Sequence, residues 1–196
     1  MANILSAFRK DTAQNMQLDA GIFVANLTNP SEFDGVIPET AINLGATSGD
    51  NSFTYTPEFR DILEDVNGAR GKYKGAQVID TITAEMSGTM KEITAENIKI
   101  ALSSADIIEG SSSEKFDKIK PRLEVKDIDY LENLCWIGSI NNESELIIIE
   151  MKNVLNTSGF SYTATDKGSG SVEFTFVPHF DLENPDDIPV TIYRSN

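Results

Sequence analysis

The sequence predicts a mainly β protein: a sandwich or barrel of antiparallel strands with one flanking helix. Three observations carry this expectation. Apolar and polar residues alternate over several stretches, the period-2 pattern of a strand with one buried face. Turn-forming clusters recur roughly every 8–12 residues, as in sandwiches and barrels. Helical spacing is clear in one place only, residues 94–103, where Ile98, Ala101, Leu102 and Ala105 fall on one stripe.

Taken in order, residues 1–17 are mixed and aperiodic, with a weak helical turn around Ile4 to Phe8, and read as a mobile or partner-bound arm. Residues 18–27, LDAGIFVANL, form the first strand, and Thr28-Asn29-Pro30-Ser31 supplies the turn that ends it. A loop containing Pro38 leads to a short strand at 41–46. The turn-prone run Ser48-Gly49-Asp50-Asn51 then feeds the longest hairpin of the chain.

That hairpin, residues 52–90, has two alternating arms. In the first, Phe53, Tyr55 and Phe59 share a side, and Ser52, Thr54, Thr56, Glu58 and Arg60 share the other. In the second, Ala76, Val78, Ile82, Ala84 and Met86 oppose Gln77, Thr81, Thr83, Glu85, Ser87 and Thr89, with Ile79 and Asp80 breaking the pattern. The arms are joined by a long loop, expected to be flexible, that carries Asp61, Glu64, Asp65, Arg70, Lys72 and Lys74. One face is apolar and the other is a broad Thr/Ser/Glu surface.

The helix at 94–103 has a marked start: Thr94 as cap, Glu96 in the first turn, and Ile93 with Ile98 at the spacing of a hydrophobic staple. Residues 110–113 read as a flexible connection and 115–120 as a solvated basic loop. Strands follow at 122–125, 133–140 and 145–153, the last two joined by Asn141-Asn142. Leu146 to Ile149 is apolar on both faces, which places that strand centrally in a sheet. Residues 160–165 and 171–182 flank the hairpin loop Asp166 to Gly170, and 190–193 close the chain with a short strand.

A length of 196 residues suits one domain with arms, here 1–17 as the arm and 18–196 as the sandwich. With 31 acidic against 16 basic residues, the net charge of −15 speaks against a basic nucleic-acid surface. The single cysteine, Cys135 between Leu134 and Trp136, excludes an internal disulfide framework and reads as a small core residue. No run approaches the ~20 apolar residues of a membrane span, and the first residues lack a secretory signal's apolar core, so synthesis and retention in a cytoplasm are expected.

Catalytic constellations are missing. The one histidine, His179, lies on the polar face of a strand with neither a second histidine nor a cysteine to build a zinc site, and reads as a surface or interface residue. Gly68, Gly71 and Gly75 do not have phosphate-loop spacing. Asp181, Glu183, Asp186 and Asp187 lack EF-hand spacing, and Glu64 with Asp65 has no second carboxylate at a defined distance. No catalytic, cofactor-binding or metal-ligating residues are therefore assigned, and no cofactor.

The order of features is itself informative. A Gly-Ala-Thr-Ser-Gly turn (Gly45 to Gly49), a threonine-rich strand ending near Glu58, a long charged loop, and a second strand ending in Met-Ser-Gly-Thr (Met86 to Thr89) lead into a Thr-capped helix. The closing FTFVPHFDLENPDDIPVTIY (Phe174 to Tyr193) joins a strand, an acidic loop and a Pro-hydrophobic-Ile-Tyr ending. Over residues 18–193 the chain resembles the major tail (tail tube) protein family of siphophages of Gram-positive hosts; residues 103–130 match nothing specific in it.

The resemblance implies a virion protein: a β-sandwich with one helix on its side, forming hexameric rings that stack into a tube for the genome. It implies an inner wall of strands contributed around the ring, with long loops and the N-terminal arm bridging subunits and rings. The implied partners are further copies of the chain, a tape-measure protein, a tail terminator and distal tail proteins. DNA would pass without specific binding, and the chain would be made in the host bacterial cytoplasm and reside in the tail.

The residues suit such a wall on physical grounds. DNA adheres by releasing counterions to Lys and Arg, so a channel surface benefits from lacking them. The expected lumen-facing residues are Thr54, Thr56, Glu58, Thr81, Thr83 and Glu85. The mixed-charge loop, with Asp61, Glu64, Asp65, Arg70, Lys72 and Lys74, is expected to contact the next ring, where charge complementarity sets register. The alternative is a sandwich-type binding module, carbohydrate-binding or adhesin-like, on a virion. That function calls for clustered exposed aromatics, whereas Trp136 sits in an apolar stretch and the tyrosines are scattered in sequence.

Overall fold

The computed structural model describes residues 12, 15–17, 19–110, 115–140, 145–164 and 166–195. Among them, the strands are β1 (Ile22–Ala25), β2 (Ile42–Asn43), β3 (Ser52–Asp61), β4 (Gln77–Met90), β5 (Ala105–Ile108), β6 (Lys118–Pro121), β7 (Leu131–Ile140), β8 (Glu145–Asn156), β9 (Ser161–Thr163), β10 (Ser171–Pro178) and β11 (Val190–Arg194). The single α-helix among them, α1, spans Ala95–Ala101, and short 3-10 turns lie at Pro30–Glu32 and Asp127–Asp129. The mainly β, antiparallel architecture expected from the sequence is the one observed.

One sheet runs β2-β1-β7-β8-β10-β4-β3, with β11 also on β8 and β9 also on β10; β5 and β6 form a separate pair. The sheet becomes two layers because β8 forks. Its first half pairs with β11 through Ile147 to Met151, and its end pairs with β10 through Val154 to Asn156. At the divide Asn153 has φ +51°, and its carbonyl accepts from the His179 N–H at 3.1 Å. The kink lets the β10-β4-β3 layer fold back over β1-β7-β8.

The layers enclose a core of Phe23, Leu44, Met86, Met90, Leu134, Met151, Val154, Phe174 and Phe176 with smaller neighbours. A second cluster, Val24, Leu27, Cys135, Ile137 and Ile148, lies on the opposite face and is covered by Phe33, Ile37, Ala41 and Tyr193. Both faces of the β1-β7-β8 layer are thus lined with apolar residues, which accounts for the unbroken run at Leu146 to Ile149. Tyr193 and the closing strand β11 cover part of it, so the final residues are structural.

Several boundaries differ from expectation. The first strand is four residues long because Gly21 at φ +66° and Asn26 at φ +56° leave the extended region at its two ends. The expected strand at 41–46 is reduced to Ile42–Asn43, since Gly45 at φ +82° turns away. The basic stretch expected as a loop at 115–120 contributes β6, and the expected strand at 122–125 is irregular. There the Arg122 guanidinium donates to the Glu124 carbonyl at 3.0 Å and bends the chain. The helix is shorter than 94–103, yet its cap is as expected: Thr94 Oγ1 accepts from the Asn97 N–H at 3.1 Å. Ile93 remains 40% exposed, which gives a staple little to bury. The Asn141-Asn142 turn and nearly all of the arm at 1–17 lie outside the described residues.

Candidate functional site

The hairpin β3/β4 is rooted in the core and then leaves it. At its base Met86 and Met90 are buried and Phe53 packs against them, so the opposite, polar face points away from the core. β10 pairs with β4 over Met86 to Met90 only. From Gln77 to Glu85, β4 has β3 as its one neighbour, and β3 ends the sheet. Among the described residues, the outer hairpin is a two-stranded ribbon with both long edges open.

The GATSG turn fixes the direction of this ribbon. Thr47 bridges to Met90, the Ser48 N–H donates to the Thr89 carbonyl at 2.9 Å, and the Ala46 N–H donates to Glu92 Oε1 at 2.9 Å. Gly45 has φ +82°, a conformation that favours glycine, and a Cβ there would stand 2.3 Å from the Glu92 carboxyl carbon, so the carboxylate would have to shift. Asn97, buried on α1, donates to the Leu44 and Glu92 carbonyls and ties the helix to the same corner.

Along the ribbon the six residues singled out from the sequence meet as three cross-strand pairs: Thr54 opposite Glu85, Thr56 opposite Thr83, and Glu58 opposite Thr81. All six are exposed, and the Thr83 hydroxyl donates to the Thr56 carbonyl at 3.3 Å. Farther out the register shifts by one residue, with Asp80 the extra residue of a β-bulge. This explains the break in alternation at Ile79 and Asp80 and corrects the face of Val78. Ile79 stands opposite Phe59, and Val78 opposite Arg60. Asp80 receives Arg60 Nε at 2.7 Å, and that hydrogen bond holds its carboxyl below the ordinary value. The sole cation on this side of the strands is thereby paired with an anion.

On the reverse side, Tyr55, Phe59 and Ile79 are exposed, Phe59 by 60%. Alternation marked this face as apolar but held no information on what covers it. Its aromatics stand opposite Ala84 and Ile79, with Pro57 opposite Ile82 between them.

The loop after Asp61 is built from successive turns. Asp61, the last residue of β3, accepts from the Leu63 N–H at 3.0 Å, and the Ile62 N–H donates to the Ala76 carbonyl at 2.9 Å, closing the loop's neck. Further turn bonds join Val66 to Leu63 and Ala69 to Val66. Glu64, Asp65, Arg70, Lys72 and Lys74 are exposed around it, and a cleft of about 610 Å³ opens between loop and strands, bordered by Arg60, Glu64, Lys72 and Asp80.

Elsewhere, His179 is half-buried, its ring edge-on to Tyr130 at 5.1 Å and its Nδ1 3.1 Å from the Asn153 carbonyl, a packing role at the β8 fork. Cys135 is buried, and desolvation, aided by Glu150, pushes its thiol up to about 12. The residues from Asp181 to Asp187 are exposed, and no group of three or more His, Cys, Asp or Glu side chains suited to a metal is found among the described residues. No helix of the described residues is long and apolar enough to cross a membrane.

The site is therefore a projecting β-ribbon with one polar, one apolar face and two open edges. No family model matches the sequence, and no curated protein matches it. Among solved structures, a chain in the virion of a native gene transfer agent (GTA) particle is similar over 91% of this chain and 99% of that one, at 12% identity and a TM-score of 0.45. A chain in the tail of an empty GTA particle is similar over 83% and 92%, at 14% identity and a TM-score of 0.40.

Proposed function

We propose that this chain is a structural virion subunit that forms hexameric rings stacked into a phage tail tube, the conduit for genome ejection. The observation that carries the reading is the outer β3/β4 ribbon. An isolated two-stranded ribbon is marginal in water, and open edges invite pairing with another chain. Ribbons from neighbouring copies, joined edge to edge in a closed circle, would leave no open edge and would turn one face inward.

The inward face is that of Thr54, Thr56, Glu58, Thr81, Thr83 and Glu85. It offers hydroxyls and carboxylates, and its Arg60 is bound to Asp80. Phosphates thus meet no unpaired cation along these strands, and at a Debye length of about 8 Å repeated carboxylates repel them across a narrow lumen. The apolar face of Tyr55, Phe59 and Ile79 packs outward against the subunit bodies of the ring. Asp61, Glu64, Asp65, Arg70, Lys72 and Lys74 at the tip contact the next ring, where alternating charges fix register. In this reading residues 18–196 act as one sandwich body and 1–17 as the arm that bridges copies. A tape-measure protein, a tail terminator and distal tail proteins complete the tail.

Microscopy of the purified chain at high concentration is the test. Rings or tubules with the Thr54/Thr81 face on the channel are expected; monodisperse monomers, or a ring with that face outside, would sink the reading. Glu58→Lys combined with Glu85→Lys should yield particles that assemble but eject DNA poorly, and unchanged infectivity would count against the channel assignment.

A further inference from the structure

The tip of the hairpin holds a chemical feature that neither the channel face nor the ring contact uses. Asn67 is followed by Gly68, and no other asparagine of the chain precedes a glycine. In such a pair the backbone nitrogen of the glycine can reach the asparagine side-chain amide, because no Cβ on its own residue blocks the approach. Ordered structure normally prevents the reaction by burying the amide or by holding it in hydrogen bonds. Here neither protection exists. Both residues are exposed, a Cβ added to Gly68 would meet nothing within 4 Å, and among the described residues no hydrogen bond holds the Asn67 side chain or the Gly68 N–H.

The backbone around the pair presents it and is lightly held. Val66 to Ala69 form a turn closed by the Ala69 N–H on the Val66 carbonyl at 3.0 Å, with Gly68 third in the turn at φ +94°, the left-handed position of a type II turn. The loop is tied at its neck, where the Ile62 N–H donates to the Ala76 carbonyl at 2.9 Å. Opening the tip turn breaks a single backbone bond and uncovers no core, so excursions that bring the Gly68 nitrogen onto the Asn67 amide carbon meet little resistance. Asparagines that precede other small residues are held more firmly. Asn51, before Ser52, donates to the Ala20 carbonyl at 2.8 Å and the Thr47 hydroxyl at 3.1 Å, and Asn156, before Thr157, is buried and donates to the Ala101 carbonyl at 2.7 Å. Asp34, before Gly35, presents a carboxylate, which resists attack by nitrogen.

We propose that Asn67 deamidates spontaneously and that the change resets the charge of the tip. The Gly68 nitrogen attacks Asn67 Cγ, an N–Cγ bond forms, the Cγ–Nδ2 bond breaks, and the proton of the attacking nitrogen leaves with Nδ2 as ammonia. The product is a cyclic imide. Water then opens it: cleavage of the N–Cγ bond gives an aspartate, and cleavage between the Asn67 carbonyl carbon and the Gly68 nitrogen gives an isoaspartate, whose chain runs through Cγ. Nothing is oxidised or reduced. Residues 61–75 carry three acidic and three basic side chains, so either product leaves the loop net acidic, and isoaspartate also lengthens the backbone of the turn by a methylene. In the tube reading, on which this consequence alone rests, a chain that waits unassembled acquires an altered tip and stacks less readily. A neighbouring ring seated on the tip would hold the turn shut and preserve the amide.

The test ages the purified full-length chain at neutral and at mildly alkaline pH and maps its peptides by mass spectrometry, with isoaspartate read by an isoaspartate-specific methyltransferase. Conversion of Asn67 about tenfold ahead of Asn51 and Asn156, accelerated by alkali because the attacking nitrogen must lose its proton, is the expected result. Gly68→Ala should slow it about tenfold, since the added methyl crowds that nitrogen. An Asn67 that stays intact, or converts no faster than Asn51 and Asn156, would overturn the proposal whatever the chain assembles into. Microscopy then compares Asn67→Gln, which keeps an amide at the tip, with Asn67→Asp and with the aged chain. Fewer tubules from the latter two support the effect on stacking; equal tubules overturn that effect and leave the site. Absence of tubules from the fresh chain and from Asn67→Gln alike would overturn the tube reading, while the mass data still decide the deamidation.

Discussion

Phe23 of β1 and Phe174 of β10 meet edge to face, ring centroids 5.1 Å apart and planes at 85°. In the order of the sheet β7 and β8 stand between their strands, a separation of about 14 Å if the sheet were flat. The contact exists because the sheet folds over at β8, and it lies within the core where the two layers pack together.

Truncating this contact should weaken the whole sandwich. Phe174→Ala is expected to cost about 4 kcal/mol, and Phe174→Leu well under half of that, as a lowered urea midpoint with an unchanged slope. Equal losses for the two variants would mean that the ring's volume is not what joins the layers.

A second prediction concerns the polar group buried between β1, β7, β8 and β11. Asn133 accepts from the Leu27 N–H at 2.8 Å, donates to the Leu27 carbonyl at 2.8 Å, and also donates to Glu150 Oε1 at 2.9 Å; the Tyr193 hydroxyl donates to Glu150 Oε2 at 2.9 Å. Asn133→Ala leaves three buried groups without that partner and should cost about 3 kcal/mol. Tyr193→Phe should cost about 1 kcal/mol, both measured by denaturant unfolding.

Alkaline pH should destabilise the chain. Burial and the neighbouring Glu150 raise the Cys135 thiol from 9.0 to about 12 in the folded state. Because the folded value is the higher one, the unfolded chain loses this proton first. Stability is intact below pH 9 and falls as pH rises towards 12, by about 1.4 kcal/mol per unit within that window. Tyr193, raised by desolvation and its bond to Glu150, acts in the same direction above its ordinary value. Cys135→Ala should flatten the decline when unfolding is followed against pH; an unchanged slope would remove the thiol as its cause.

The single tryptophan reports on its own niche. Trp136 donates to the Ala20 carbonyl at 3.0 Å, and its ring lies over Gly138, where an added Cβ would fall 2.4 Å from Cη2. Gly138→Ala must displace the ring, so about 1–3 kcal/mol of destabilisation and a red-shifted tryptophan emission are expected together.

On the ribbon, stability and assembly should separate. Phe59 is 60% exposed in the subunit, so Phe59→Ser should change subunit stability by no more than about 0.5 kcal/mol. Under the tube reading it removes an apolar contact between copies, and light scattering should show assembly shifted to higher concentration. Unaltered assembly would place the apolar face elsewhere.

The ribbon was legible because alternation is a local property. Thr54, Thr56 and Glu58 on one arm and Thr81, Thr83 and Glu85 on the other declare a shared face once the arms pair. The irregularity at Ile79 and Asp80 was visible too, although a bulge, which only the register with Phe59 and Glu58 identifies, was needed to interpret it. The β5/β6 pair was misread for a different reason. Lys118 to Pro121 carries three polar or proline residues out of four, a loop-like composition, and it becomes a strand because Ala105 to Ile108 is held beside it by Arg122, which pairs with Asp106. The small pair is stabilised by ion pairs and by its neighbour's backbone, which composition does not record.

By itself the sequence determined the strands with strict alternation, the Thr94-capped helix and the polar face of the central hairpin. All of these follow from side-chain chemistry over a few adjacent residues. Tertiary structure alone decided that β8 forks at Asn153, that Phe23 reaches Phe174, and that the hairpin outgrows its cover beyond Met86. These depend on which distant strands hydrogen-bond and where the pairing stops, and register between segments far apart in the chain is settled by the packing of the whole core.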